Sequence, residues 1–292
     1  MASLASVAPA ANQRSLGVLL VVVSAMVFST AGLFTKGVAA DAWSILFWRG
    51  LAAAIATSLY LASRGSLRRE LATMGPSGWA VALIGAAGSS AYIPALKITS
   101  IANVTLIYAS IPLMAAALAW VTIGERPTRR AGACCLLAFL GVLVIVQGSL
   151  GRPELLGDLL ALIMTLSLAV IMVIYRCYPE TPAGGPAVLM SLLVMPAAAL
   201  FGDPAAAPLG EIAWMGAFGL VFAVASVTLA EGARRIPAAE AGLLSALDTP
   251  LAPLWAWLLL AEVPGQATWI GGALVMAAVL FSQYTQPRKT GA

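Results

Sequence analysis

The chain has 292 residues, 61% hydrophobic and 10% charged, with a formal net charge of +4, no histidine and a mean hydropathy of +0.95. Soluble domains carry roughly a quarter charged residues, so a water-soluble globular fold is excluded and the apolar surface must face lipid. The basic balance, a nucleic-acid signal in a soluble chain, reads here as a topology signal, and the lack of histidine removes every His-containing metal site.

A polar leader, residues 1–15, is followed by ten apolar stretches: 16–35, 43–62, 77–96, 101–124, 131–147, 155–175, 185–201, 211–230, 238–261 and 267–284, with a tail at 285–292. About 20 residues at a rise of 1.5 Å cross a hydrocarbon layer of roughly 30 Å, so the composition predicts an all-α polytopic membrane protein of ten transmembrane helices. The first stretch exceeds the 7 to 15 residues of a signal-peptide core and is expected to be retained. The connections are too short to fold as soluble domains.

In chain order, the first stretch carries Ser24 and Phe28 on one helical face, with Thr35 beyond them and Lys36 at its end. The second holds Arg49 about a third of the way in, where a charge either snorkels, ties helices together or meets a substrate carboxylate. Tyr92 lies in the third, and Thr105, Tyr108 and Pro112 fall on one face of the fourth. Cys134 and Cys135 in the fifth and Cys177 after the sixth have no disulfide or metal spacing and read as packing residues. Tyr175 and Ser226 extend the polar and aromatic set into the sixth and eighth. In the ninth, Ser245 aligns with Asp248, and Pro250 and Pro253 follow.

Asp248, about eleven residues into its stretch, is an intramembrane carboxylate and by default a functional hypothesis: it binds a substrate amino group, carries a coupling proton, or caps backbone freed by Pro250. Pro112 and Pro250 with Pro253 occupy corresponding places in the fourth and ninth stretches, and paired interruptions of this kind point to a midplane substrate site. Trp120 and Trp257 fit interfacial anchors, and Gly271-Gly272 fits close helix packing.

Twelve of the sixteen Lys and Arg residues fall on the side of the amino terminus, three (Lys36, Lys97, Arg152) on the opposite side and Arg49 within a helix. This positive-inside asymmetry places both termini in the cytoplasm. The chain also repeats itself: at an offset of 137, Lys97 falls on Arg234, Leu106 on Leu243, Ala119-Trp120 on Ala256-Trp257, Glu125 on Glu262 and Pro127 on Pro264. The expected units are a repeat over 16–148 and another over 149–284, each of five helices. Five is odd, so the second copy must run inverted. Its loops record this: ERPTRR after the fourth stretch corresponds to EVPGQ after the ninth.

These pieces resemble the drug/metabolite transporter superfamily, in particular the ten-helix EamA-type exporters. The carriers are FWRG at 47–50, ALKITSIANVTL at 95–106, IPLMAAALAWVTIGER at 111–126 and PLAPLWAWLLLAE at 250–262. Within the superfamily the chain is most similar to YddG-type exporters, which implies export of aromatic and other neutral amino acids across the bacterial inner membrane. The small four-helix drug exporters carry an acid in the middle of helix one; here Ser24 to Phe34 has none, so that cation/proton chemistry is not expected.

The expected activity is therefore secondary transport by alternating access. No phosphate-cradling GxxxxGK[ST] is present, so ATP is not a direct energy source. Coupling falls to Asp248, Glu231 or Glu240, or else the protein is a facilitator. The alternatives are a nucleotide-sugar or cationic-drug exporter in the same fold, a channel, and an intramembrane enzyme, which would need more than one isolated aspartate. No cofactor, metal, nucleic acid or obligatory protein partner is expected; the partners are a small-molecule substrate and the bilayer.

Overall fold

A computed structural model describes residues 11–124, 129–178, 180–233, 235, 244 and 247–284. Every element among them is a helix: α1 (Ala11–Phe28), α2 (Ala31–Lys36), α3 (Ala42–Ser63), α4 (Leu67–Ala72), α5 (Gly75–Ile98), α6 (Ile101–Tyr108) and α7 (Ile111–Ile123), then α8 (Arg129–Gly148), α9 (Glu154–Cys177), α10 (Gly184–Phe201), α11 (Leu209–Ala233), α12 (Asp248–Leu260) and α13 (Gln266–Tyr284).

Local chemistry sets the ends. Asp41 caps α3 by accepting from the backbone N–H groups of Trp43 (2.8 Å) and Ser44 (3.1 Å) and from the Ser44 hydroxyl (2.5 Å). Ser100 caps α6 by accepting from the Asn103 N–H. Gly124 closes α7 at φ 70°, a left-handed conformation that costs glycine nothing.

Six helices are long and apolar enough to cross a membrane: 13–36, 42–63, 75–98, 154–175, 184–201 and 209–229. The pair α6 and α7, bent by 44°, makes a seventh if it is one broken span. Of the ten expected spans, the fifth and tenth are shorter apolar helices, 132–148 and 266–278, and the ninth is a described helix only over α12.

Two expected helices are broken. The first stretch parts at Ser29 and Thr30, whose hydroxyls donate to the carbonyls of Met26 (2.6 Å) and Val27 (2.7 Å) and draw those acceptors away from a continuing helix. The fourth parts at Ala109 and Ser110, where the Ser110 hydroxyl donates to Ile107 O (2.6 Å) just before Pro112. Proline costs least in a first turn, because its missing N–H would have no intrahelical acceptor there. Pro112 and Pro250 each stand in the first turn of their helices, α7 and α12. At these two expected interruptions Pro112 and Pro250 stand where a described helix begins, and Pro253 alone of the three lies inside one.

Several of the most extensive helix contacts survive exchange of the two halves. With α1–α2 matched to α9, α3 to α10, α5 to α11, α6–α7 to α12 and α8 to α13, the contact of α1 with α11 becomes that of α9 with α5, and α3 with α11 becomes α10 with α5. The pairs α3 with α10, α8 with α13 and α6 with α12 map onto themselves. One core gathers Leu96, Val104, Ile145, Met164 and Val275; the other gathers Ile45, Leu46, Ile93, Ala198 and Met215. Between α8 and α13 the backbones nearly touch: a Cβ on Gly141 would lie 2.6 Å from Gly271 O. Large apolar side chains such as Leu59, Leu200 and Leu259 face outward, and Trp120 and Trp257 are exposed, as lipid contacts and interfacial anchors require.

Candidate functional site

A cavity of about 270 Å³ lies where the helix breaks meet. It is lined from the first half by Phe28, Ser29 and Gly32 at the break between α1 and α2, Arg49 on α3, Ser89 and Tyr92 on α5, and Thr105 and Tyr108 on α6. The second half adds Ser167 on α9, Met190 on α10, Phe222 on α11 and Asp248 and Ala252 on α12. The volume sits near the lower end of ligand pockets, roughly 300 Å³. Its surface is mostly aromatic and aliphatic, with a few hydroxyls and two opposite charges.

Arg49 is 6% exposed. Its Nη2 donates to the Ser89 hydroxyl, its Nε has no acceptor, and its guanidinium lies 5.5 Å and 5.1 Å from the ring centres of Phe218 and Phe222. Asp248 opens α12, where a carboxylate is favoured by the unpaired N–H groups of a first turn. Its Oδ1 accepts from the Thr249 hydroxyl at 3.2 Å. Tyr92 lies within electrostatic reach of both Arg49 and Asp248, and Tyr108 within reach of Asp248 and Tyr92. The break in α1 is tied to α12 by Trp255, whose indole N–H donates to Ser29 Oγ at 3.0 Å.

Of the residues singled out from the sequence, Phe28, Arg49, Tyr92, Thr105, Tyr108 and Asp248 line this cavity. Four others have different work. Ser24 is fully buried and donates to Ala225 O (2.7 Å), bracing α1 against α11. Ser226 donates to Phe222 O in its own helix (2.9 Å), and the Tyr175 hydroxyl points to Pro182 O (3.5 Å). Lys36 pairs with Glu262 at 2.6 Å. The coupling candidate Glu231, near the end of α11, accepts from Arg64 (3.0 Å), Arg235 (2.8 Å) and Tyr60 (2.8 Å) and is not among the lining residues, although Leu229 on the same helix is. Ser245 and Glu240 lie outside the described residues, as does the side chain of Pro112.

Sequence reasoning missed Ser29, Ser89, Ser167 and Phe222. Phe218 and Phe222 at i and i+4, facing an intramembrane arginine, were a signal that could have found the aromatic wall. It also took Asp248 as the one intramembrane aspartate. Asp158 on α9 is a second and is fully buried. It accepts from Thr99 Oγ1 (2.7 Å), Asn103 Nδ2 (3.0 and 3.2 Å) and Ser149 Oγ (2.7 Å), and Asn103 Oδ1 in turn accepts from Thr268 Oγ1 (2.5 Å). This network joins α6, α9 and α13 at the end of the bundle where Glu262 holds Lys36 and the Ile101 N–H (2.5 Å). Among the described residues no three His, Cys, Asp or Glu side chains gather as a metal site.

Comparison with known proteins adds the following. The EamA-like transporter family matches the chain twice, over residues 15–147 and 155–284. Among fifteen matching chains of known structure, one described as "Crystal structure of protein" is 20% identical, with a TM-score of 0.66, and the match covers 94% of this chain and 99% of its own. That is a likeness of fold. No curated protein matches.

Proposed function

The chain belongs to the EamA-like transporter family, and from that premise we propose that it is a secondary transporter exporting small amphipathic metabolites, foremost aromatic and other neutral amino acids. The observation that carries this reading is the cavity between the two family repeats. Aromatic walls suit a flat apolar body, hydroxyls suit a polar head, and Arg49 and Asp248 offer one charge of each sign. A substrate bearing phosphate would call for several basic groups, and Arg49 is the one basic residue among the described lining.

The route is alternating access across the inner membrane of a bacterial cell, with ten spans and both termini cytoplasmic. Exchange-symmetric packing and the loss of arginine from the corresponding loops of the second repeat support an inverted pair, and such halves can trade conformations around a fixed site. The half-helices supply the moving joints. Broken backbone is tolerated at membrane depth where it lines a cavity, and here it does. At the outer end, Lys36, Glu262 and the Ile101 N–H tie α2 and α6 to the connection between α12 and α13, so opening on that side must break these bonds.

Reconstituted in liposomes, the protein should move labelled phenylalanine, tryptophan or methionine faster than empty vesicles do. If amino acids show background flux while other metabolites cross, the amino-acid assignment is wrong and the transporter reading stands.

A further inference from the structure

We propose that Arg49 anchors a free carboxylate of the transported solute, so that the cavity selects acids over the matching amines and esters. The proposal deepens the transport reading above and rests on it.

A guanidinium makes strict demands on its surroundings. It is always charged and carries five N–H donors in one plane. Arg49 is 6% exposed, and its one hydrogen-bond acceptor is the neutral Ser89 hydroxyl. Its Nε has none. Buried charges are ordinarily paired, because desolvation outweighs what neutral neighbours return. Phe218 and Phe222 cover the guanidinium at 5.5 and 5.1 Å, but ring faces attract a cation without neutralising it or accepting its in-plane N–H groups. What the site lacks is an anion with two acceptors.

Among the described residues no side chain supplies that anion. Asp248, the other charged residue of the lining, forms no ion pair with Arg49; its oxygen accepts from Thr249, and Tyr92 lies within electrostatic reach of both charges. Nor is Arg49 open to solvent, at 6% exposure. Its helix is pinned on two sides: a Cβ on Gly219 of α11 would stand 2.7 Å from Ala52 Cβ, and one on Gly50 would stand 3.0 Å from Ser191 O of α10. The guanidinium is therefore held at the cavity wall, which is the preorganisation a recognition group requires.

A carboxylate in the cavity would accept from Nη2, and the Ser89 hydroxyl, freed as acceptor, could turn and donate to the same group; Nε, now covered by protein, would join once the side chain shifts to meet the second oxygen. A planar two-oxygen acceptor fits; an ester lacks the charge, and an amine adds a second cation. For an α-amino acid the ammonium is left toward Tyr92 and Asp248, and the side chain toward Phe28 and Met190.

The test uses the purified full chain with four probes of one shape: phenylalanine, 3-phenylpropanoate, phenethylamine and phenylalanine methyl ester. Ligand-induced shifts in unfolding temperature and inhibition of labelled phenylalanine flux are read for each. The expected result is that both acids bind at least tenfold more tightly than the amine and the ester. In Arg49→Gln this preference should fall below twofold, with an unfolding temperature that shows a folded protein. Where that variant fails to fold, the probe series on the unaltered chain decides alone. Amine or ester binding within twofold of phenylalanine overturns the anchor and leaves transport standing. No response to any of the four overturns both the amino-acid reading and the anchor.

Discussion

Two buried charged sites on opposite footings organise this protein. Asp158 sits at 0% exposure among α6, α9 and α13, with donors from Thr99, Asn103 and Ser149 on its two oxygens. Arg49 is almost as deeply buried, yet holds one neutral acceptor and an idle Nε. Both are costly groups in an apolar bundle, and neither has an opposite charge beside it. The difference is in satisfaction. The first network is complete without a guest and can only stabilise; the second is incomplete, and the residue that carries it lines a cavity. Burial alone does not separate architecture from function in a membrane protein; the count of unmet hydrogen bonds does.

The sharpest way to break this comparison is to remove Asp158. Asp158→Ala would orphan the buried donors of Thr99, Asn103 and Ser149 and should cost several kcal/mol, at about 1 to 3 kcal/mol for each group left unsatisfied. It should be read as a large drop in unfolding temperature in detergent. Flux per folded molecule should be unchanged. A variant that melts with the wild type would mean that a satisfied network contributes no more than the unsatisfied one.

Next in size is Asp248→Asn, expected to lower flux about tenfold, or 1.4 kcal/mol at the transition state, with little change in unfolding temperature. Flux that is the same in wild type and variant across pH 6 to 8 would move Asp248 to the architectural side.

The smallest effect calibrates the scale at a carboxylate outside the spans. At Asp41, partial burial pushes the pKa up, but the Ser44 hydroxyl and the N–H groups of Ser44 and Trp43 outweigh it, so the group titrates below its ordinary 3.8. A depressed pKa means that the cap stabilises above the unfolded value and is lost as pH falls through the folded one. Asp41→Ala should cost about 1 kcal/mol at neutral pH. The gap in unfolding temperature should close as pH drops below the ordinary carboxylate range. A gap that persists there would mean that the carboxylate charge is not what stabilises α3.

The sequence was most legible where one residue's chemistry decides the outcome. Apolar stretches became helices, and Pro112 and Pro250 marked the two places where a half-helix begins. Phe28, Arg49, Tyr92, Thr105, Tyr108 and Asp248 reached the cavity because helical spacing and rare intramembrane charge both pointed inward. Ser24, Ser226 and Tyr175 did not. A hydroxyl on a helix can donate to a carbonyl within its own helix or on a neighbour, and spacing reveals the face but not the acceptor. The break at Ser29 carried no proline and arose from two hydroxyls and a distant tryptophan. Asp158 was hidden by its position near a span end, where a charge is expected to reach water; its three partners come from segments that sequence cannot bring together.

The near-contact of backbones at Gly141 and Gly271 bears on how such a machine can move. With no side chain between them, α8 and α13 meet backbone to backbone, the closest kind of helix contact a bundle can make. One belongs to each repeat. Under the proposed alternating access, a unit that moves α8 would carry α13 with it, so the moving units would cut across the repeat boundary.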